Sequence, residues 1–382
     1  MRRGGIILLA VVLAMGALPL RSRAAAPEVA AKSAVLMDIA TGTVLGQQNP
    51  HEPLAPASVT KVMTMLLIME AIDSGKIGWD DTVTASEAAA AKGGSQIYLK
   101  AGETMSVADM VKSIAVSSAN DCACAMAEHL AGSESAFVDR MNARAAELGM
   151  NDTHFVNCTG LDDGAEAENH RTSAYDIALM SRELLKAHPD IQKYTTIWMD
   201  TVRSGSFGLA NTNKLIRFYA GATGLKTGFT SKAGYCLSAS AQRDGLGLIA
   251  VVMGCETSKD RFAACKALLD YGFANFALVT PELPAEAAVP VRLGAADTVA
   301  AEPSEDPRLL VEKELRGSVT TEVTLEPELT APVSRGQRLG TLTVRAGDRV
   351  LAQVPLVAAE AVERLRWRDL LVRVLQSMTM AA

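Results

Sequence analysis

The stretch Pro53–Ile72, PLAPASVTKVMTMLLIMEAI, decides the fold. A loop bearing Pro53 and Pro56 delivers the chain to Ser58. From there Val62, Met63, Met65, Leu66, Met69 and Ile72 recur at helical spacing, which predicts a buried helix beginning near Ser58. Lys61 then falls one turn after Ser58 on the same face, so an amine is delivered beside a hydroxyl. Ser58 is the one serine in the chain with a lysine three residues later.

Working outward, Ser33–Asp38 and Thr43–Gln48 flank Ile39-Ala40-Thr41-Gly42 and read as a β-hairpin. Residues 80–187 read as largely helical, with alanine-rich stretches at Glu87–Ala91 and Asp121–Leu130. Strand character returns from Gly221. The apolar runs Tyr235–Ala241 and Leu248–Gly254 are joined by a turn at Asp244-Gly245, and Asp260–Phe273 reads as a closing helix. Strands at both ends with helices between them imply an α/β domain whose sheet is assembled from both ends of the segment. After Phe276 the composition shifts. Val319–Leu325, Arg338–Val344 and Val350–Val357 have β character and predict a small all-β domain.

The termini read differently. Arg2 and Arg3, an apolar run from Gly4 to Leu20 and the small residues Ala24–Ala26 have the layout of a secretory signal peptide, although Arg21 and Arg23 depart from the usual pattern. At the other end, Trp367, Leu370, Leu371, Val374, Leu375 and Met378 fall on one face of a helical wheel, opposite Arg366, Asp369, Arg373 and Gln376. That amphipathic pattern predicts a helix over Ala358–Met380 lying in a membrane surface, the alternative being a helix packed on the β domain or on a second copy of the chain. The expected organisation is a signal peptide (1–26), a catalytic domain (27–276), a small β domain (277–357) and an anchoring helix (358–382). The net charge of −6 argues against a general nucleic-acid binder. Six cysteines show neither a staple framework nor a zinc spacing, and none of the five histidines pair as H-x-x-x-H, so no metal or cofactor is expected. The thiols read as mostly free core residues, with a Cys236–Cys255 bridge across the Asp244-Gly245 turn as the one conceivable pairing.

Three short motifs carry the chemistry: Ser58-Val59-Thr60-Lys61, Ser118-Ala119-Asn120 and Lys226-Thr227-Gly228. Taken singly, each has a bland reading as a helix cap or a turn. Their joint order makes the signal. A serine hydroxyl is a poor nucleophile until a base takes its proton. Lys61 can be that base if burial and a second cation, for which Lys226 is the candidate, lower its pKa. Ser118 offers a hydroxyl to relay a proton to a leaving nitrogen. Asn120 can hydrogen-bond both a side chain and a substrate amide. Gly228 lets a backbone approach a strand edge closely.

The set S-x-x-K, S-x-N, K-T-G is that of penicillin-binding proteins and class A β-lactamases. With Ala55-Pro56-Ala57-Ser58, Asn211-Thr212-Asn213, the Gly224–Gly234 stretch and Val252-Met253-Gly254 leading to Asp260-Arg261-Phe262, the chain resembles the low-molecular-mass, serine-type D-Ala-D-Ala carboxypeptidases over nearly its whole length. The resemblance implies the serine penicillin-recognising fold, an antiparallel sheet flanked by helices, followed by a β domain. It implies a peptidoglycan stem peptide ending in D-Ala-D-Ala as substrate, β-lactam antibiotics as covalent inhibitors, and a place on the outer face of the cytoplasmic membrane. Ser58 would be acylated with Lys61 as base, and Ser118 and Asn120 would complete the network. Lys226, Thr227 and Arg261 would bind the terminal carboxylate, and the backbone N–H groups of Ser58 and Phe229 would form the oxyanion hole. Two positions depart from the pattern: Phe229 stands where relatives often carry His, and Cys158 where Pro is expected. The water-activating Glu-x-Glu-Leu-Asn element of class A β-lactamases is not matched between the second and third motifs, where Glu166 and Glu168 lack the Leu-Asn part. Glu326-Pro327-Glu328-Leu329-Thr330 resembles it but lies after the third motif. The alternatives are a β-lactamase and a non-catalytic peptidoglycan-binding protein.

Overall fold

The computed structural model describes residues 25–164 and 166–368. Its first domain is built on a five-stranded antiparallel sheet. The strands are β1 (Ser33–Asp38), β2 (Val44–Gln48), β3 (Ala222–Thr230), β4 (Gly234–Arg243) and β5 (Leu246–Cys255). Their spatial order is β2-β1-β5-β4-β3, so the two ends of the domain do meet in one sheet, with β1 paired along β5 from Ser33↔Met253 to Asp38↔Leu248. The unbroken apolar run of β5 follows from cover on both faces. Ile249, Val251 and Met253 pack with the helices of one side, whereas Leu248, Ala250 and Val252 pack with the closing helix on the other.

The helices that position the site are α1 (Lys61–Asp73), α2 (Val107–Ser117), α3 (Asn120–Ala131), α4 (Glu134–Glu147), α5 (Ala174–Ala187) and α6 (Ser258–Asn275). Helix α1 is buried almost all round, which accounts for its nearly continuous Val, Met, Leu and Ile content. It begins three residues later than the apolar spacing alone places it. Ser58 instead sits in a 3-10 turn, Ala57–Thr60, entered through Ala57 at φ +49°. Side chains three apart eclipse in that tighter helix, so the turn brings Lys61 back over Ser58.

The second domain is a six-stranded sheet. Its strands are β6 (Ala288–Arg292), β7 (Thr298–Pro303), β8 (Val319–Leu325), β9 (Leu329–Thr330), β10 (Arg338–Ala346) and β11 (Arg349–Ala358), in the order β8-β10-β11-β7-β6-β9. The expected boundary at 357/358 is corrected here. Ala358 is the last residue of β11, Val362 pairs with Val333, and the Leu365 N–H donates to the Leu293 carbonyl. Val362 is buried with Val289, Val299 and Val333. The alanines and acids of 358–363 suit a helix, but these core contacts and backbone pairings override that propensity. Trp367 and Arg368 are helical, and the rest of the expected anchor, 369–382, lies outside the described residues, as does the signal segment up to residue 24. No helix among the described residues is long and apolar enough to cross a membrane. All six cysteines are free and buried, so the conceivable Cys236–Cys255 bridge is not formed.

Candidate active site

The first and third motifs meet where the edge strand β3 runs past the 3-10 turn. Gly228 decides how close they come: a Cβ there would lie 2.6 Å from the Pro56 carbonyl oxygen and 3.1 Å from the Ser58 nitrogen. The absent side chain therefore makes room for the turn that carries Ser58, a closer neighbour than the backbone that motivated the sequence reading.

Lys61 Nζ donates to Ser58 Oγ at 2.9 Å and to the Thr159 carbonyl at 2.7 Å. Lys61 is fully buried, and burial pushes its pKa from 10.5 down to about 7, with the Asp121 carboxylate pulling the other way. Asp121 is buried as well and accepts N–H bonds from Ile97 and Leu99. Lys226 is 1% exposed and donates to the Thr227 carbonyl at 2.9 Å. Burial, then the cations of Lys61 and Arg261, press its pKa well below the usual lysine range. The charge of Lys61 thus bears on Lys226, whereas the fall in the Lys61 pKa comes from burial and not from the second cation named from the sequence.

Thr227 Oγ1 donates to Thr212 Oγ1 at 2.7 Å, and Asn213 Nδ2 holds the Gly224 carbonyl at 2.8 Å. Asn211-Thr212-Asn213 is a brace for β3. The second motif is a helix–helix junction: Ser118 caps α2 in the left-handed region at φ +64°, and Asn120 opens α3. Both are nearly buried. Asn120 Nδ2 donates to the Gly93 carbonyl at 2.7 Å, while its Oδ1 is buried without a partner among the described residues. Asn120 thus keeps polar capacity for a ligand.

Phe229 is 52% exposed, and its ring stacks on Tyr235 at 4.2 Å. Arg261 lies 5.3 Å from the Tyr235 ring and donates from Nη1 to the Gly228 carbonyl at 2.9 Å. Its guanidinium is committed to the strand that carries the third motif, although Nε is buried without a partner among the described residues.

Sequence reasoning missed the loop that completes the Lys61 environment. Asn157 Oδ1 accepts the N–H groups of Thr159 and Gly160, at 3.1 and 2.7 Å. Thr64 Oγ1 donates to the Cys158 carbonyl. Glu134 accepts from the Cys158 N–H and thiol, both at 3.2 Å, and pairs with Lys92. Against the upward push of burial, Lys92 and the Cys158 thiol hold the Glu134 carboxyl below its ordinary value. Cys158, which stands where Pro is expected, gives its thiol to Glu134. The Gly160 in Asn157-Cys158-Thr159-Gly160 was the available signal: at φ +82°, its Cβ would fall 1.8 Å from the Ala57 oxygen. Beside this loop opens a cavity of about 490 Å³, walled by Lys92, Gly93, Asn157, Thr159, Leu161 and Asp163 among others.

The chain is similar to known proteins in both sequence and fold. The sequence profile described as D-alanyl-D-alanine carboxypeptidase, peptidase S11, matches residues 21–257, and that of the penicillin-binding protein 5 C-terminal domain matches 284–364. The chain is 44% identical over 355 residues to the D-alanyl-D-alanine carboxypeptidase DacF of Bacillus subtilis, covering 91% of this chain and 90% of that one. The crystal structure of penicillin binding protein 5 from Haemophilus influenzae superposes with a TM-score of 0.74 at 32% identity, covering 88% of this chain and all but 1% of the other. The ampicillin-bound penicillin-binding protein D2 of Listeria monocytogenes superposes on 65% of this chain and all of its own, with a TM-score of 0.57 at 31% identity.

Proposed function

Because the chain belongs to the peptidase S11 D-alanyl-D-alanine carboxypeptidases, we propose that it removes the terminal D-alanine from peptidoglycan stem pentapeptides through an acyl-enzyme on Ser58. The observation that carries the reading is the Lys61–Ser58 contact, with the lysine pushed to about pKa 7. Neutral Lys61 takes the Ser58 proton as Oγ attacks the penultimate D-alanine carbonyl. The N–H groups of Ser58 and Phe229 receive the oxyanion. The proton passes through the Ser118 hydroxyl to the departing amine of D-alanine, and the C–N bond breaks. Water then attacks the ester, giving a proton to the same base and regenerating Ser58. Asn120 holds the substrate amide, and Lys226, Thr227 and Arg261 receive the terminal carboxylate. Because Arg261 already grips Gly228, its field and its hold on β3 act together.

β-Lactams enter as substrate mimics whose acyl-enzyme persists. The β-lactamase and non-catalytic readings are not favoured by the relatives. Benzylpenicillin is expected to leave a stable adduct on the peptide containing Ser58, and Ser58→Ala to lose both the adduct and D-alanine release. An adduct on Ser118 overturns the assignment. The same reading places the enzyme outside the cytoplasm, delivered by residues 1–26 and held at the membrane surface by the segment that starts at Trp367, which is 71% exposed.

A further inference from the structure

Ser58 is held by more than the three motifs. Ala57, the residue before it, has φ +49°, a left-handed backbone that alanine seldom adopts. Such a conformation persists only where its surroundings over-determine it. The Ala57 carbonyl accepts from Thr60 Oγ1 at 2.9 Å, and Thr60 Oγ1 lies 2.7 Å from His170 Nε2. His170 Nδ1 accepts from the Val156 N–H at 3.1 Å.

The direction of every bond in this chain is forced. A backbone N–H only donates, so Nδ1 is an acceptor and the ring proton is on Nε2. Nε2–H therefore donates to Thr60, and the hydroxyl hydrogen of Thr60 goes to Ala57. Both side chains are buried, His170 at 4% exposure and Thr60 at 0%. Burial, then the charges of His154, Lys61 and Lys232, keep the imidazole neutral, with a pKa of about 4. Val156 also leads directly into the loop whose Thr159 carbonyl receives Lys61. One ring thus ties the loop behind the base to the turn beneath the nucleophile.

We propose that His170, fixed as its neutral Nε2–H tautomer, is a positioning residue for the reaction: through Thr60 it sets the Ala57 backbone, and with it the place of Ser58 Oγ relative to Lys61. The proposal rests on the Ser58 reading above, which adduct mapping on the wild type tests separately. Its own test is the rate of acylation by a fluorescent penicillin, measured with the thermal midpoint. Thr60→Val, which keeps shape and removes the hydroxyl, is expected to slow acylation about tenfold, and Thr60→Ser to restore most of it. His170→Phe should slow it similarly, and the double variant Thr60→Val/His170→Phe should be no worse than either single one, because both break one chain. Nitrogen NMR of the wild type at pH 7 should show His170 protonated on Nε2 alone. A Thr60→Val rate within twofold of wild type, losses that multiply in the double variant, or an Nδ1–H tautomer each overturn the proposal. Where His170→Phe fails to fold, the Thr60→Val and Thr60→Ser pair and the tautomer decide it.

Discussion

Lys61 is the residue at which stability and the proposed role as base oppose one another. Its pKa falls from 10.5 in the unfolded chain to about 7 in the folded one because burial penalises the cation. Between those values the unfolded chain binds more protons, so stability rises with pH from about 7 to 10.5, and below 7 the fold carries the whole penalty, on the order of 5 kcal/mol. Lys61→Met is therefore expected to raise the thermal midpoint at pH 6 by several degrees, at about 2–4 °C per kcal/mol recovered, while abolishing acylation. The gain should shrink as pH rises past 7. In the wild type the same titration predicts an acylation rate that climbs through about pH 7 as the base form appears; a flat profile from pH 5 to 9, or a Met variant less stable at pH 6, contradicts this account. Ser58, Lys61 and Lys226 were legible as candidates because the proposed chemistry needs those side chains at those spacings. The Thr159 carbonyl that also holds Lys61 was not, since every residue type carries a carbonyl and only the folded loop aims it. His170 was invisible for a related reason: a buried, neutral histidine acting through a threonine has no pattern in one dimension.

Among the elements, the sheet and helices followed from periodicity, and the cover of β5 on both faces accounts for its unbroken apolar run. What periodicity could not reveal was the turn at Ser58. A 3-10 turn and the first turn of an α-helix share the same apolar spacing over four residues, and Ala57 carries no sign of its left-handed backbone. The packing of β3 against that turn supplies a sharper test. Gly228→Ala places a methyl 2.6 Å from the Pro56 oxygen and 3.1 Å from the Ser58 nitrogen, both backbone atoms that yield only if the strand or the turn moves. A shift approaching 1 Å at a reacting group costs about 100-fold in rate. Gly228→Ala is expected to fold, with the circular dichroism of the wild type, and to acylate about that much more slowly. Gly317→Ala, whose methyl meets nothing within 4 Å, serves as the control and should be indistinguishable from wild type. Equal acylation by the two variants removes Gly228 from the account of how β3 and the nucleophile are brought together.

At the scale of the whole molecule, the change of composition after Phe276 did mark a second domain, but the sequence pattern misplaced its end. Residues 358–365 look helical by propensity and are held as an extended segment by tertiary contacts: the Ala359 N–H bonds the Ala300 carbonyl, the Ala295 N–H bonds Glu363, and Ala358 and Val362 fill the core around Val289 and Val333. Two truncations of a chain beginning at Pro27 separate what the amphipathic pattern merged. Ending at Val357 removes Ala358 and Val362 from the core. Burying one valine is worth about 1.5–3 kcal/mol, so the β domain should melt well below the full-length protein while the catalytic domain keeps its own transition and still acylates. Ending at Arg368 keeps every one of those contacts, so the thermal profile and the hydrolysis of small peptides should match the full-length chain. Most of the segment proposed to lie on the membrane is lost, with Leu370, Leu371, Val374, Leu375 and Met378 of its apolar face and Arg373 of its polar face, and co-sedimentation with vesicles containing anionic lipid should fall to background, because Trp367 alone is too little apolar surface to hold the chain there. If the form ending at Arg368 still sediments like the full chain, the surface that meets lipid lies elsewhere and the tether reading fails. If it melts early as well, the terminal segment is structural, and the β domain extends to the end of the chain.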